Sequence, residues 1–282
     1  MAEGVCPPPC RLHRASGDNR GMDLAYRVFG KGPTLVLIHG IVHCQDVWNP
    51  VIPLLAKHRR VVTIDLPSHG QSPQLPKGEK CLQALADEVE AFLPKITPEG
   101  DEVHVAGNSL GGWLALELAA RGVVASATAL SPGGFWVSKL DQVRTNKTFL
   151  AMRAVARVAK PVSRPLLNTK IGRSVALGAF FGRPWRVSPD DALRDLNSLT
   201  SNSLIDVIQG EDWAYSPQVD PSVPVTVQWG GGDLILPVYE SAKVRDTFPQ
   251  ARVIVMPWIG HVPMIDDPEE IAAILIEGSS GR

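Results

Sequence analysis

Residues 107–111 read Gly107-Asn108-Ser109-Leu110-Gly111, with Gly112 directly behind. A short apolar run at 103–106 leads in, and a longer one at 113–120 follows. This is the pattern of a strand, a sharp turn and a helix, with a serine at the apex. A G-x-S-x-G turn lifts the serine Oγ above a sheet edge and aims the next backbone N–H at the same point. Glycines at 107 and 111 keep side chains out of a turn too tight to hold them, and Gly112 lets the helix begin close to the strand. A serine hydroxyl is a poor nucleophile unless a base and an oxyanion site surround it. The rest of the chain must supply both.

The flanking sequence alternates between strand and helix signals. Continuous apolar runs at 34–38 and 60–64 predict buried parallel strands. Further strands are expected at 124–130, 223–229 and 252–256, and an edge strand at 24–29. Helices are expected at 51–57, 82–93, 110–121 and 239–247. Asp267-Pro268-Glu269-Glu270 opens the last helix, with an N-cap aspartate, a proline at the first position and a glutamate at the third. Such alternation predicts an α/β fold, a mostly parallel central sheet flanked by helices on both faces. The tail at 278–282 is expected to fray.

Residues 136–215 break the alternation. They contain no good buried strand, and helix-like pieces are interrupted by Pro161, Pro165, Pro184 and Pro189. The expected organisation is a core in two parts, 1–135 and 216–282, with a helical cap or lid inserted at 136–215. From 139 to 186 there are eleven lysines and arginines against one acid, Asp141. From 187 to 220 the balance turns acidic, with Arg194 the only basic residue. The plain reading is a solvated face. The sharper one is a basic lid that attracts an anionic acyl substrate or makes peripheral contact with anionic membrane. Phe149, Leu150, Met152, Val155, Val158 and Ala159 interleave with Arg153, Arg157 and Lys160, so this piece is amphipathic. Its apolar side is expected to pack on the core and line a substrate pocket.

Composition narrows the function classes. A hydrophobic share of 44% over 282 residues excludes disorder, and a net charge of −1 gives no reason to expect nucleic acid. No apolar run reaches membrane-span length, and the first ten residues lack a signal pattern, so a cytoplasmic protein is expected. The four cysteines are Cys6, Cys10, Cys44 and Cys81; Cys6 and Cys10 flank three prolines and read as two reduced thiols in a disordered tail. His13 beside them does not complete a metal site, and His39 and His43 are separated by Gly40 with no carboxylate motif. No metal or cofactor is expected.

Five blocks in order carry a resemblance: His39-Gly40 after the strand at 34–38, the Asp65-Leu66-Pro67-Ser68-His69-Gly70-Gln71-Ser72 turn, the Ser109 turn, Gly230-Gly231-Gly232-Asp233, and Gly260-His261. The chain resembles the lid-bearing serine hydrolases of the α/β-hydrolase fold superfamily, esterase-like or lipase-like. The resemblance implies a triad of Ser109 as nucleophile, His261 as general base and Asp233 as the acid that orients it. Asp212, Asp266 and Asp267 are rival acids, the last better explained as a helix cap. The resemblance also implies an oxyanion hole from the backbone N–H groups of Ile41 and Leu110. His39 and His69 are expected to hold loops, and His58 and His104 to be structural or solvated. Asn108 stands where the family often has histidine, and Ser68 where it often has glycine.

A serine at the turn disfavours relatives that open epoxides or displace halide, which use aspartate. The leading expectation is cleavage of a carboxylic ester through an acyl-enzyme, acting on small ester or acyl substrates including lipid-like ones. One alternative keeps the triad and cleaves a C–C bond of a ring-cleavage dienoic acid. The other is a non-catalytic ligand binder that uses the same fold.

Overall fold

The computed structural model describes residues 21–75, 81–202, 204–208, 213–215, 220 and 222–280. Cys6, Cys10, His13 and Asp212 lie outside the described residues. Seven strands form one sheet: β1 (Tyr26–Phe29), β2 (Thr34–Ile38), β3 (Arg60–Ile64), β4 (Val103–Asn108), β5 (Ser126–Leu130), β6 (Val225–Gly230) and β7 (Arg252–Met256). Their spatial order is β1-β3-β2-β4-β5-β6-β7. Only β1 runs antiparallel, against β3. Every residue of β2, β5 and β6 is buried, as a sheet covered on both faces requires, whereas β1 at the edge is half-buried throughout.

Helices α1 (Ile52–Leu55), α2 (Cys81–Ile96) and α3 (Leu110–Ala120) follow β2, β3 and β4. Helix α3 is buried from Leu110 to Ala119 and, apart from Glu117 paired with Arg121, apolar all round, the pattern of a helix enclosed by its own domain. Between β5 and β6 lies a helical stretch: α4 (Lys139–Ala159), α5 (Ser163–Leu167), α6 (Lys170–Leu177), α7 (Pro189–Ser201) and α8 (Leu204–Ile208). The chain closes with α9 (Ser241–Thr247), α10 (Pro263–Asp266) and α11 (Pro268–Gly278). Asp267 caps α11 by accepting from the Glu270 N–H at 3.2 Å, as its sequence signature predicts.

Two sequence expectations need correction. The tail from 278 does not fray at once. Ser279 is buried, and the Arg59 guanidinium donates to the Ser279 hydroxyl at 2.9 Å and the Ile276 carbonyl at 2.6 Å. Residues 281 and 282 lie outside the described residues. The apolar side of α4 does not simply pack inward either. Leu150, Val155 and Val158 are exposed, while Arg153 is buried, its guanidinium paired with Asp206 and donating to the Asn202 carbonyl. The buried face of α4 is set by Thr145, Arg153 and Ala156, because α7 and α8 offer it polar partners as well as apolar ones.

Candidate active site

The parallel registers put the C-terminal ends of β2, β4, β5, β6 and β7 nearly level. Ile38 pairs with Gly107, Asn108 with Leu130, Leu130 with Gln228, and Gly230 with Met256. The loops after these strands carry the candidate residues, at the edge where ligands bind in open parallel sheets. Ser109 sits between β4 and α3 with φ 56°, ψ −113° and 8% exposure. Its N–H donates to the Leu130 carbonyl at 2.9 Å, which fixes the turn to the neighbouring strand. A Cβ at Gly107 would lie 2.0 Å from the Gly111 carbonyl oxygen, and one at Gly111 would lie 2.1 Å from that of Ile38. The glycines are therefore steric requirements of the serine's placement.

Asp233 follows β6 and His261 follows β7. The structure brings them together: His261 Nδ1 lies 2.7 Å from Asp233 Oδ2, both side chains almost wholly buried. The other carboxylate oxygen, Oδ1, accepts from the Ile235 and Leu236 N–H groups at 2.9 and 2.8 Å. A carboxylate so held fixes Nδ1 as the protonated nitrogen and leaves Nε2 as the basic one. Asn108, adjacent to Ser109, donates through Nδ2 to the His261 carbonyl at 2.8 Å. The residue at the family's usual histidine position thus fastens the His261 loop beside the serine.

The two rival acids among the described residues, Asp266 and Asp267, are occupied elsewhere. Asp266 accepts from the N–H groups of Gly182, Arg183 and Gly260 at 2.8, 2.7 and 2.8 Å. Asp267 is the α11 cap. Sequence reasoning missed Glu240, which is fully buried; Arg144 lies 3.3 Å away, and its pKa is pushed up to about 8, first by burial and further by Asp141 and Asp233. Nothing in its local sequence marks it, since its burial comes from long-range packing.

On the other side of the serine, a Cβ at Gly40 would lie 3.3 Å from Ser109 Cβ, so the loop after β2 runs against the turn. Leu110 is the first residue of α3, and its N–H has no place in that helix's ladder. His39 takes the Leu66 N–H on Nε2 at 3.0 Å and turns Nδ1 to the Gly40 carbonyl at 2.8 Å. His69 lies between the carbonyls of Pro67 (2.9 Å) and Ile41 (2.7 Å). Both imidazoles hold this loop. A cavity of about 40 Å³ opens at Ser109, lined by Ile41, Trp136, Phe149, Trp213 and Leu236 among others. It is room for a small group only.

A sequence profile described as the alpha/beta hydrolase family matches residues 35–274. The chain belongs to the α/β hydrolase family. It is 30% identical over 254 residues to a pimeloyl-[acyl-carrier protein] methyl ester esterase of Aromatoleum aromaticum, covering 87% of this chain and 97% of the relative. Among solved structures it is similar to a bacterial membrane phospholipase A, with TM-score 0.74 and 24% identity over 96% of this chain and 86% of that one. It is also similar to a serine hydrolase involved in carbazole degradation, with TM-score 0.69 and 22% identity over 97% and 99% of the two chains. These structural likenesses show that the α/β hydrolase fold is shared.

Proposed function

We propose that this chain is a serine carboxylic ester hydrolase. The buried Asp233–His261 pair at 2.7 Å, on the strand ends beside the Ser109 turn, carries the reading. Ser109 Oγ attacks the ester carbonyl while His261 Nε2 takes its proton. The N–H groups of Leu110 and Ile41 hold the oxyanion. The imidazolium returns the proton to the leaving alcohol, and water then releases the acid by the same sequence. Asp233 keeps the imidazole in the required tautomer and stabilises its charged form.

Two observations favour an ester over the ring-cleavage dienoic acid. Among the described residues no lysine or arginine lines the cavity at Ser109, so none of them meets the carboxylates of a dienoate there. The similar methyl ester esterase fits a cavity that admits a small group. The helical stretch at 136–215 acts as a cap, since Trp136, Phe149, Ile205 and Trp213 close over the serine. Among the described residues no helix is long and apolar enough to cross a membrane. Contact with anionic lipid remains part of the proposal, through the exposed Arg157, Lys160 and Arg164.

The test is labelling with a fluorophosphonate probe together with p-nitrophenyl acetate turnover. Wild type is expected to label and hydrolyse, and Ser109→Ala to do neither while keeping its circular dichroism spectrum. A folded wild type that neither labels nor turns over would make the chain a binder. Rapid turnover of a dienoate with no ester hydrolysis would move it to C–C cleavage.

A further inference from the structure

A second, larger cavity lies within the cap. It measures about 320 Å³, at the lower end of the ~300–1,000 Å³ typical of small-molecule sites. Helices α4, α5, α6 and α7 form its walls, and Val42, His43, Phe180 and Phe181 contribute its inner end. Leu167, Ala192 and Leu199 are buried in it, whereas Val155 and Leu166 are exposed at its mouth, 68% and 42% respectively. It is a groove, open to solvent on one side and closed toward the core.

Among the described residues the polar groups that line the groove are Ser163, His43 and Asp195. The Ser163 hydroxyl donates to the Lys160 carbonyl at 2.8 Å. His43 Nε2 faces Asp195 at 3.6 Å, and burial with His261 and His69 nearby pushes the His43 pKa down to about 3. The remaining lining is aliphatic or aromatic. Apart from Asp195 and His43 at the inner end and Ser163, the described walls carry no polar side chain, so the occupant they select is hydrocarbon.

The groove is one layer of side chains from Ser109. Ile41 lines the cavity at the serine, and the next two residues, Val42 and His43, line the groove. On the opposite side Phe149 lines the serine cavity and Phe180 the groove, their rings in edge contact with centroids 6.3 Å apart. The serine cavity alone, at about 40 Å³, cannot hold an acyl chain. The half-buried Phe149 stands where the two spaces approach each other.

Building on the ester hydrolase reading, we propose that the groove holds the hydrocarbon tail of a medium- or long-chain acyl ester whose carbonyl sits at Ser109, with Phe149 as the gate between them. The chemistry is unchanged. The groove sets which acyl chains reach it.

The experiment compares kcat/KM for p-nitrophenyl decanoate and p-nitrophenyl acetate in wild type, Ala151→Trp and Ala176→Trp. The two alanines are exposed and lie on different walls, α4 and α6, so each variant tests the groove independently of the other. The decanoate-to-acetate ratio is expected to fall at least tenfold in each folded variant, and to rise in Phe149→Ala. A ratio that stays within twofold, or a wild type that accepts acetate but not decanoate, overturns the proposal. Should wild type hydrolyse neither ester, the catalytic reading fails and calorimetric titration with dodecanoate decides the groove by itself. Binding that weakens tenfold in the tryptophan variants keeps it, and no binding to wild type removes it.

Discussion

Asp233 does two jobs with two oxygens, and this makes its amide variant informative. Oδ1 accepts from Ile235 and Leu236 while Oδ2 meets His261 Nδ1. In Asp233→Asn the amide oxygen satisfies the two backbone donors, which turns the NH₂ toward the imidazole. Nδ1 must then accept, Nε2 carries the proton, and the base is blocked. Turnover of p-nitrophenyl acetate is expected to fall by about 10⁴-fold with the thermal midpoint little changed, which steady-state kinetics and a thermal melt would check. Glu240, near Asp233, affects stability by a different route. Its folded pKa is raised from 4.5 to about 8. Between those values the native state holds a proton that the unfolded chain has released, so native proton binding exceeds unfolded binding and stability falls as pH rises. The slope is at most ~1.4 kcal/mol per pH unit for one proton, and Arg144, 41% exposed, narrows the pH window by partly stabilising the charged form. Glu240→Gln is expected to flatten this decline, so that urea unfolding at pH 9 shows the variant more stable than wild type and at pH 4 shows little difference.

Among the elements, those whose sequence pattern matched their final environment were legible. The apolar runs of β2 and β3 are buried strands because a parallel sheet is covered on both sides. Gly107 and Gly111 read as a tight turn because only that geometry excludes a Cβ. Helix α4 was read with its apolar side inward because periodicity reports a face and not the partner that covers it. The partners are α7 and α8, whose Asn202 and Asp206 take Arg153 into the interior and leave Val155 and Val158 outside. The pairing of Asp233 with His261 was legible only through the family pattern, since the glycine-rich turn after a strand marks Asp233 as a candidate without naming its partner. The end of α11 was misread for a similar reason. Its small polar residues suggest fraying, but their partner, Arg59, is over two hundred residues away. Arg59→Ala removes the donors to Ser279 and Ile276 and is expected to cost about 2 kcal/mol, as hydrogen bonds from a charged group do. Chemical denaturation should show the lower midpoint with an unchanged m-value.

Across the whole molecule, the helical stretch between β5 and β6 is joined to the sheet by the loop that carries His261, the proposed base. The Phe180 carbonyl accepts from the N–H groups of His261 and Val262 at 2.7 and 3.1 Å. The buried Asp266 carboxylate takes N–H groups from Gly182 and Arg183 on the cap side and from Gly260 on the core side, while Arg183 and Arg186 donate to its carbonyl. Residues 180–186 are therefore a fixed seam, and α4 makes a second one through Arg144 to Glu240 and Tyr239 to Asp141. A seam of this kind also couples folding of the two layers, because one cannot open there without exposing backbone donors that have lost their acceptor. Wild type is expected to unfold in a single transition, with far-ultraviolet circular dichroism and tryptophan fluorescence coincident. Asp266→Ala strands the N–H groups of Gly182, Arg183 and Gly260, each at a cost of ~1–3 kcal/mol where water cannot reach it. The two probes should then separate, and fluorophosphonate labelling of Ser109 should slow at least tenfold, because the His261 loop loses the contact that holds it to the cap. Coincident transitions with full labelling speed in a stably folded Asp266→Ala protein would show that the seam neither couples the layers nor positions the base.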